Sequence, residues 1–191
     1  MAARTHSADP RAERVRVLIR DAAFALAHEG PVDRLTVGDI VSRAGVSRQV
    51  FYQHFRDRDD AVAYAFTAAF ATATADIAGD PRSRILALFD LAAQHRAMYR
   101  NVVPSAVTLR VVAAFRAELA PACEQIAAEA MPAVSTIAAL TPESVSRFLV
   151  GGFMEVLRSW MEDPDATDLR GRAAAALDTV GALLGTTAHA R

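Results

Sequence analysis

Arg48, Gln49, Tyr52 and His54 fall inside one seven-residue stretch that opens after Ser47 and closes before Phe55. Residues of these types make hydrogen bonds to the edges of another molecule rather than covalent bonds. A guanidinium pairs with O6 and N7 of guanine, and a carboxamide with N6 and N7 of adenine. Arg48 and Gln49, at the start of a short helix, are therefore candidates to read bases in a major groove. Tyr52, His54 and Thr36 suit phosphate oxygens, as do Ser47 and the backbone N–H groups at helix starts. Arg58, opening the next helix, is a candidate clamp on the sugar-phosphate backbone.

Other chemistries find no comparable constellation. The five His, at 6, 28, 54, 95 and 189, are scattered, with no His-x-x-x-His or Glu-x-x-His pair, and no Gly-rich phosphate loop follows a strand. Ser105, Ser135 and Ser159 lack the surroundings of an activated nucleophile. Cys123 is the single cysteine, so an intrachain disulfide and a multi-cysteine metal site are excluded. With no base near it in sequence, it reads as a half-buried structural thiol. A small helical enzyme is thus the weakest reading, and neither cofactor nor metal is expected.

The elements that must hold the polar ridge are helices. Val15, Leu18, Ile19, Ala22 and Leu26 recur at helical steps until Gly30-Pro31. Thr36 with Asp39 has capping-box spacing and opens a short helix that turns Val37, Ile40 and Val41 inward and stops near Gly45. Gly45 allows the positive φ of a tight turn, and Ser47 then caps a helix from Arg48 to about Phe55. Val46, Val50 and Phe51 would lock these two helices together and leave Arg48, Gln49, Tyr52 and His54 outward. Helix, short turn and second helix together have helix-turn-helix spacing.

Further on, Asp57 and Asp60 begin a longer helix striped by Val62, Phe66, Phe70, Ala73 and Ile77. Asp80-Pro81 begins another that runs through Ile85, Leu88, Phe89, Ala92 and Tyr99. Pro104, Pro121 and Pro132 predict two helices separated near 117–121. Thr141-Pro142 starts a helix with Val145, Phe148, Leu149, Gly152, Phe153, Val156 and Trp160 on one face. Asp165, with Asp168 three residues on, is expected to cap the last helix, through Leu169, Ala173, Ala176, Leu177, Val180, Leu183 and Leu184 to about Gly185.

Composition agrees with an all-α fold of about nine helices. The chain has 42 Ala, and all 21 of its basic residues are Arg, while nine Gly and eight Pro leave few helix breakers. A formal net charge of −1 excludes a protein basic over its whole surface. The charge is unevenly divided, however: residues 10–58 carry nine Arg against six acids, and residues 59–191 eleven against fifteen. With no secretory segment and no apolar run of membrane-spanning length, a cytoplasmic protein without a membrane partner is expected.

Residues 12–62 resemble the DNA-binding signature of the tetracycline-repressor (TetR, AcrR-like) family. The likeness rests on Ala44-Gly45-Val46-Ser47, Phe51-Tyr52, His54-Phe55 and Arg58-Asp59-Asp60. Val41 stands where Ala is common, Arg58 where Lys is usual, and Gln49 where a small residue is frequent. These departures bear on which operator is read. A weaker likeness, His95-x-x-x-Tyr99 and Gly151-Gly152-Phe153 through Trp160, is to C-terminal domains of the AcrR-like branch.

The resemblance implies a disordered arm at 1–9, a three-helix DNA-binding domain at 10–56 and a helical regulatory and dimerisation bundle at 57–191. The expected partners are a palindromic double-stranded operator, a second copy of the chain and a small, apolar effector of unknown identity, and the expected function is repression. Phe148, Gly152, Val156, Trp160, Ala173, Leu177, Val180 and Leu184 are the expected dimer seam. Phe66, Phe70, Phe89, Met98, Tyr99, Phe115, Met131 and Phe153 would line an effector pocket, with His95, Tyr99 and Arg110 as polar contacts. The alternative is an effector-independent regulator or architectural DNA-binding protein.

Overall fold

The computed structural model describes residues 10–75, 80–103, 105–134, 137 and 139–184. These form nine α-helices and one 3-10 turn, with no strand among the described residues. The arm at 1–9, and Ile77, Pro104, Ser135 and Gly185, lie outside them. None of the described helices is long and apolar enough to cross a membrane. The chain divides into two compact units, one of residues up to Ala68 with Ala97–Val111, the other of Ala69–Arg96 with Val112 onward.

The first unit holds α1 (Pro10–Glu29), the 3-10 turn (Val32–Arg34), α2 (Val37–Ala44) and α3 (Arg48–His54). To these it adds the first part of α4 (Arg58–Ala75), most of α6 (Arg96–Val102) and the opening turn of α7 (Thr108–Val134). Its core is built from Ile19 and Ala23 of α1, Ile40 of α2, Phe51 of α3, and Val62 and Phe66 of α4, all fully buried, whereas Leu18, which the periodicity of α1 turns inward, is 50% exposed. Each large buried side chain among them contributes roughly 1.5–3 kcal/mol relative to exposure. Aromatic contacts extend this core, with Phe66 5.7 Å from Tyr99 and 6.0 Å from Phe24.

The second unit holds the remainder of α4 and α7, with α5 (Pro81–Gln94), α8 (Pro142–Glu162) and α9 (Leu169–Leu183). Phe70, Phe115, Phe89 and Phe153, in that order, form a buried edge-to-face chain, with successive centroids 5.5, 5.8 and 6.1 Å apart. Cys123 is fully buried, and burial followed by the neighbouring Glu124 pushes its thiol up to about 12, the setting of an inert structural group. Arg82 pairs with Asp178 at 2.7 Å, and Arg170 with Asp90, tying α5 to α9.

Three expectations about elements need correction. The helix from Pro81 through Tyr99 is two, broken at His95, whose φ of −108° and ψ of 24° end α5. Arg96 stacks 4.1 Å over the Trp160 ring and donates to the carbonyls of Trp160, Asp163 and Ala166. Its partners lie at least 64 residues away, so no local pattern marks the break. The pair of helices expected around 117–121 is the single α7, which passes through Pro121 and Pro132. Pro121 deprives the Ala117 carbonyl of its donor, but both residues are exposed, so that carbonyl is not shut into the core, and helix-forming flanks carry the helix on. Finally, α9 is capped by Asp168, which accepts from Gly171 N at 2.7 Å, not by Asp165.

Candidate nucleic-acid interface

Thr36 has extended backbone and accepts at Oγ1 from Asp39 N at 3.2 Å, while Asp39 Oδ2 accepts from Thr36 N at 2.9 Å and from its hydroxyl at 2.6 Å. This reciprocal cap starts α2 where the spacing predicts it. The hydroxyl of Thr36, then its backbone N–H, hold the Asp39 carboxyl below its ordinary range. At the other end Gly45 sits at φ +67°, and its N–H reaches the carbonyls of Ser42 and Val41. The next residue, Val46, closes the turn onto the Val41 carbonyl at 3.1 Å.

Ser47 then accepts from Val50 N at 3.2 Å and opens α3. Phe51 is fully buried, in ring contact with Phe55 at 5.8 Å, and pins α3 by its inner face. Arg48, Gln49 and Tyr52 are exposed, as is Gln53, a neighbour that the sequence reading did not single out; His54 is half-buried. The structure thus brings Thr36, Ser47, Arg48, Gln49 and Tyr52 together as exposed residues of the α2–α3 pair. The Arg48 guanidinium lies beside α2: a Cβ at Gly38 would stand 3.1 Å from its Nη2. Gly38 is silent in the sequence because its use is to leave room for a residue ten positions on.

Long-range ties fix this pair on its neighbours. Arg43 makes two 2.8 Å bonds to the Glu29 carboxylate, joining α2 to the end of α1 and lowering the Glu29 pKa. Asn101 of α6 donates from Nδ2 to the carbonyls of Ala27 at 2.9 Å and His28 at 3.3 Å, capping α1. Asp60 accepts from Arg110 Nη2 at 2.7 Å, Arg56 Nη2 at 3.3 Å and Arg56 N at 3.2 Å. Burial alone would raise the Asp60 carboxyl, but the hydrogen bonds from Arg110 and Arg56 outweigh it and hold the group at about 2. The guanidinium of Arg58 is turned inward, onto the carbonyls of Asp33 and Leu35.

The other expected site residues are distributed over both units. Among the effector-pocket candidates, Phe66, Met98, Tyr99 and Arg110 lie in the first unit, and Phe70, Phe89, His95, Phe115, Met131 and Phe153 in the second. Burial raises the Tyr99 phenol above its ordinary range, and Arg110 is held by Asp60. A groove of about 810 Å³ in the second unit runs between α7 and α8, past Arg116, Ala117, Ala120, Glu143 and Arg147, and none of these candidates lines it. Of the expected dimer seam, Trp160, Ala173 and Leu177 face their own unit's core. Phe148 is 73% exposed, Gly152 is exposed, and Val156, Val180 and Leu184 are half-buried.

Residues 19–64 match the family model described as bacterial regulatory proteins, tetR family. The fold is similar to that of the dihydroxyacetone kinase operon activator DhaS, with a TM-score of 0.63 and 13% identity over 90% of this chain and 97% of that one. It is also similar to a TetR transcriptional regulator from Streptococcus agalactiae 2603V, with a TM-score of 0.62 and 16% identity over 89% and 95%. A tetR-family transcriptional regulator from Streptomyces coelicolor gives a TM-score of 0.58 and 18% identity over 91% and 86%. No curated protein matches the chain by sequence.

Proposed function

We propose that α2 and α3 form the reading head of a DNA-binding domain of the tetR family of bacterial regulatory proteins, whose model matches residues 19–64, and that the chain is a cytoplasmic repressor that binds a palindromic operator as a dimer. The observation that carries this reading is the exposed Arg48, Gln49 and Tyr52 on α3, a helix capped by Ser47 and pinned to α2 by buried Phe51. Arg48 and Gln49 read base edges, while Ser47, Tyr52 and His54 meet phosphates; Thr36, whose hydroxyl and N–H are both given to Asp39, sets the start of α2. Repression follows from occupancy alone, since a protein seated on a promoter excludes polymerase without making any contact to it.

Dimerisation links two half-sites and raises their effective concentration for each other. Support comes from α8, where exposed Phe148 accompanies Gly151 and Gly152, at which an added Cβ would meet nothing within 4 Å. Two glycines in mid-helix cost about 1 kcal/mol each, and nothing among the described residues uses the room they leave. Close approach of a second copy would use it. Phe148, Gly152, Val156, Val180 and Leu184 are the proposed seam.

A small apolar effector, entering the Phe70, Phe89, Phe115 and Phe153 cluster, would release the operator. The second reading, an effector-independent regulator, is favoured by the edge-to-face packing of those same rings. A thermal-shift screen of hydrophobic compounds, repeated with operator bound, separates the two: a compound that stabilises the protein and frees the DNA supports the first.

Selection of fragmented genomic DNA on the purified protein, followed by footprinting and a promoter reporter, tests the central reading. Arg48→Ala and Gln49→Ala should each relax preference at particular base pairs by about 1–3 kcal/mol. Tyr52→Phe should weaken all sequences evenly. Unaltered operator binding by the Arg48→Ala/Gln49→Ala double variant would overturn the assignment of α3.

A further inference from the structure

Arg58 occupies a position where a phosphate contact is the natural expectation, yet most of its donors are already engaged within the protein. Nη1 donates to the carbonyls of Asp33 at 3.0 Å and Leu35 at 3.1 Å, while Nε and Nη2 both reach Asp59 Oδ1 at 2.6 Å. The side chain is only 23% exposed. The two carbonyls belong to the strip of chain that leaves the 3-10 turn and enters Thr36. That turn has no side-chain cap of its own, and its backbone bonds run from Arg34 N to Pro31 O and from Leu35 N to Val32 O. Arg58 therefore satisfies two carbonyls that those bonds leave over, at the point where the chain is aimed into α2.

We propose that Arg58 is a positioning residue for operator binding that acts through Thr36 and does not itself neutralise a phosphate. The planar fork explains why arginine suits this task. One nitrogen spans two carbonyls 3.0 and 3.1 Å away while the other two grip a carboxylate, and Asp59 in turn holds the fork's orientation. A lysine ammonium, a single point of charge, has no such geometry. With the fork in place, Thr36 keeps the extended backbone, φ −115° and ψ 160°, that presents it at the start of α2. The inference rests on the reading that the α2–α3 pair binds the operator.

The test uses the full chain and an operator fragment recovered from genomic DNA, with affinities measured over a salt series for wild type, Arg58→Gln, Arg58→Lys, Thr36→Ala and the Arg58→Gln/Thr36→Ala pair. Circular dichroism confirms that each variant is folded. Arg58→Gln should weaken binding about tenfold, the effect of roughly one lost charge-assisted hydrogen bond. The slope of log affinity against log salt should stay unchanged. Arg58→Lys, which keeps the charge but loses the fork, should be as weak as Arg58→Gln. In the Thr36→Ala background the Arg58→Gln change should add less than about twofold.

A slope smaller by about 1 in Arg58→Gln, with recovery in Arg58→Lys, would identify a phosphate contact and overturn the proposal. A full tenfold loss that persists without Thr36 would overturn it too. Arg48→Ala serves as the control on the reading beneath it. If wild type selects an operator and Arg48→Ala relaxes it, a failure at Arg58 sinks this inference alone; if wild type selects none, both fall.

Discussion

One methyl group at residue 38 would reach the tip of Arg48. An alanine Cβ there would lie 3.1 Å from Arg48 Nη2 and 3.3 Å from Thr36 Oγ1, tighter than ordinary contact. The long side chain is the part free to move, so Gly38→Ala should shift base preference at the pair that the proposed function assigns to Arg48. The shift should disappear in an Arg48→Ala background, as binding-site selection on the four proteins will show. Gly45 is a different case, because its φ of +67° disfavours any side chain; Gly45→Ala should cost about 1–2 kcal/mol in urea denaturation. At Asp60 the issue is protonation. Its folded pKa, about 2, lies below that of a free carboxyl, about 3.9, so its contribution to stability is complete above the higher value and vanishes as pH falls through the lower. The stability gap between wild type and Asp60→Asn should therefore be open at pH 6 and closed near pH 2. Local caps such as Thr36 with Asp39, and Ser47 with Val50, are legible in sequence because each partner is three residues away. The carbonyl partners of Arg58 are 23 and 25 residues off, and no spacing rule reaches them.

Helices repeat the lesson at larger scale. Every helix start marked by a local signal up to α5, and that of α8, lies close to where the sequence places it, since capping residues and apolar periodicity act within a turn or two. The break at His95 and the continuity of α7 through Pro121 were not legible, because distant carbonyls held by Arg96 impose one and solvent at an exposed face permits the other. Pro121 offers a direct check. Restoring an N–H there with alanine should gain the roughly 3 kcal/mol of a helix-interior proline, less about 1 for the freer unfolded chain, a net rise of about 2 kcal/mol in denaturation experiments. On α8, Gly151→Ala and Gly152→Ala should raise intrinsic helix stability by about 1 kcal/mol each. The same changes should weaken self-association in sedimentation, because they fill the space a partner helix would use; stronger association would sink the proposed seam.

For the whole molecule, an overall charge of −1 conceals a basic front and an acidic remainder. On the proposed reading, operator affinity should fall steeply with salt in spite of the net negative charge, because only the basic reading head would meet phosphate; a salt-independent affinity would contradict this. Every basic side chain at that surface is arginine or histidine, since the chain has no lysine. The division into two units has an optical counterpart as well. The single tryptophan, Trp160, lies beneath Arg96 in the second unit, whereas all three tyrosines, Tyr52, Tyr64 and Tyr99, belong to the first. Long-wavelength excitation therefore selects an indole in the second unit, and the red shift of its emission on heating marks the opening of the α8–α9 corner. Near-ultraviolet tyrosine absorbance follows the reading head in the same cuvette. Coincident curves would define one cooperative fold and separated curves two, with no label attached to either.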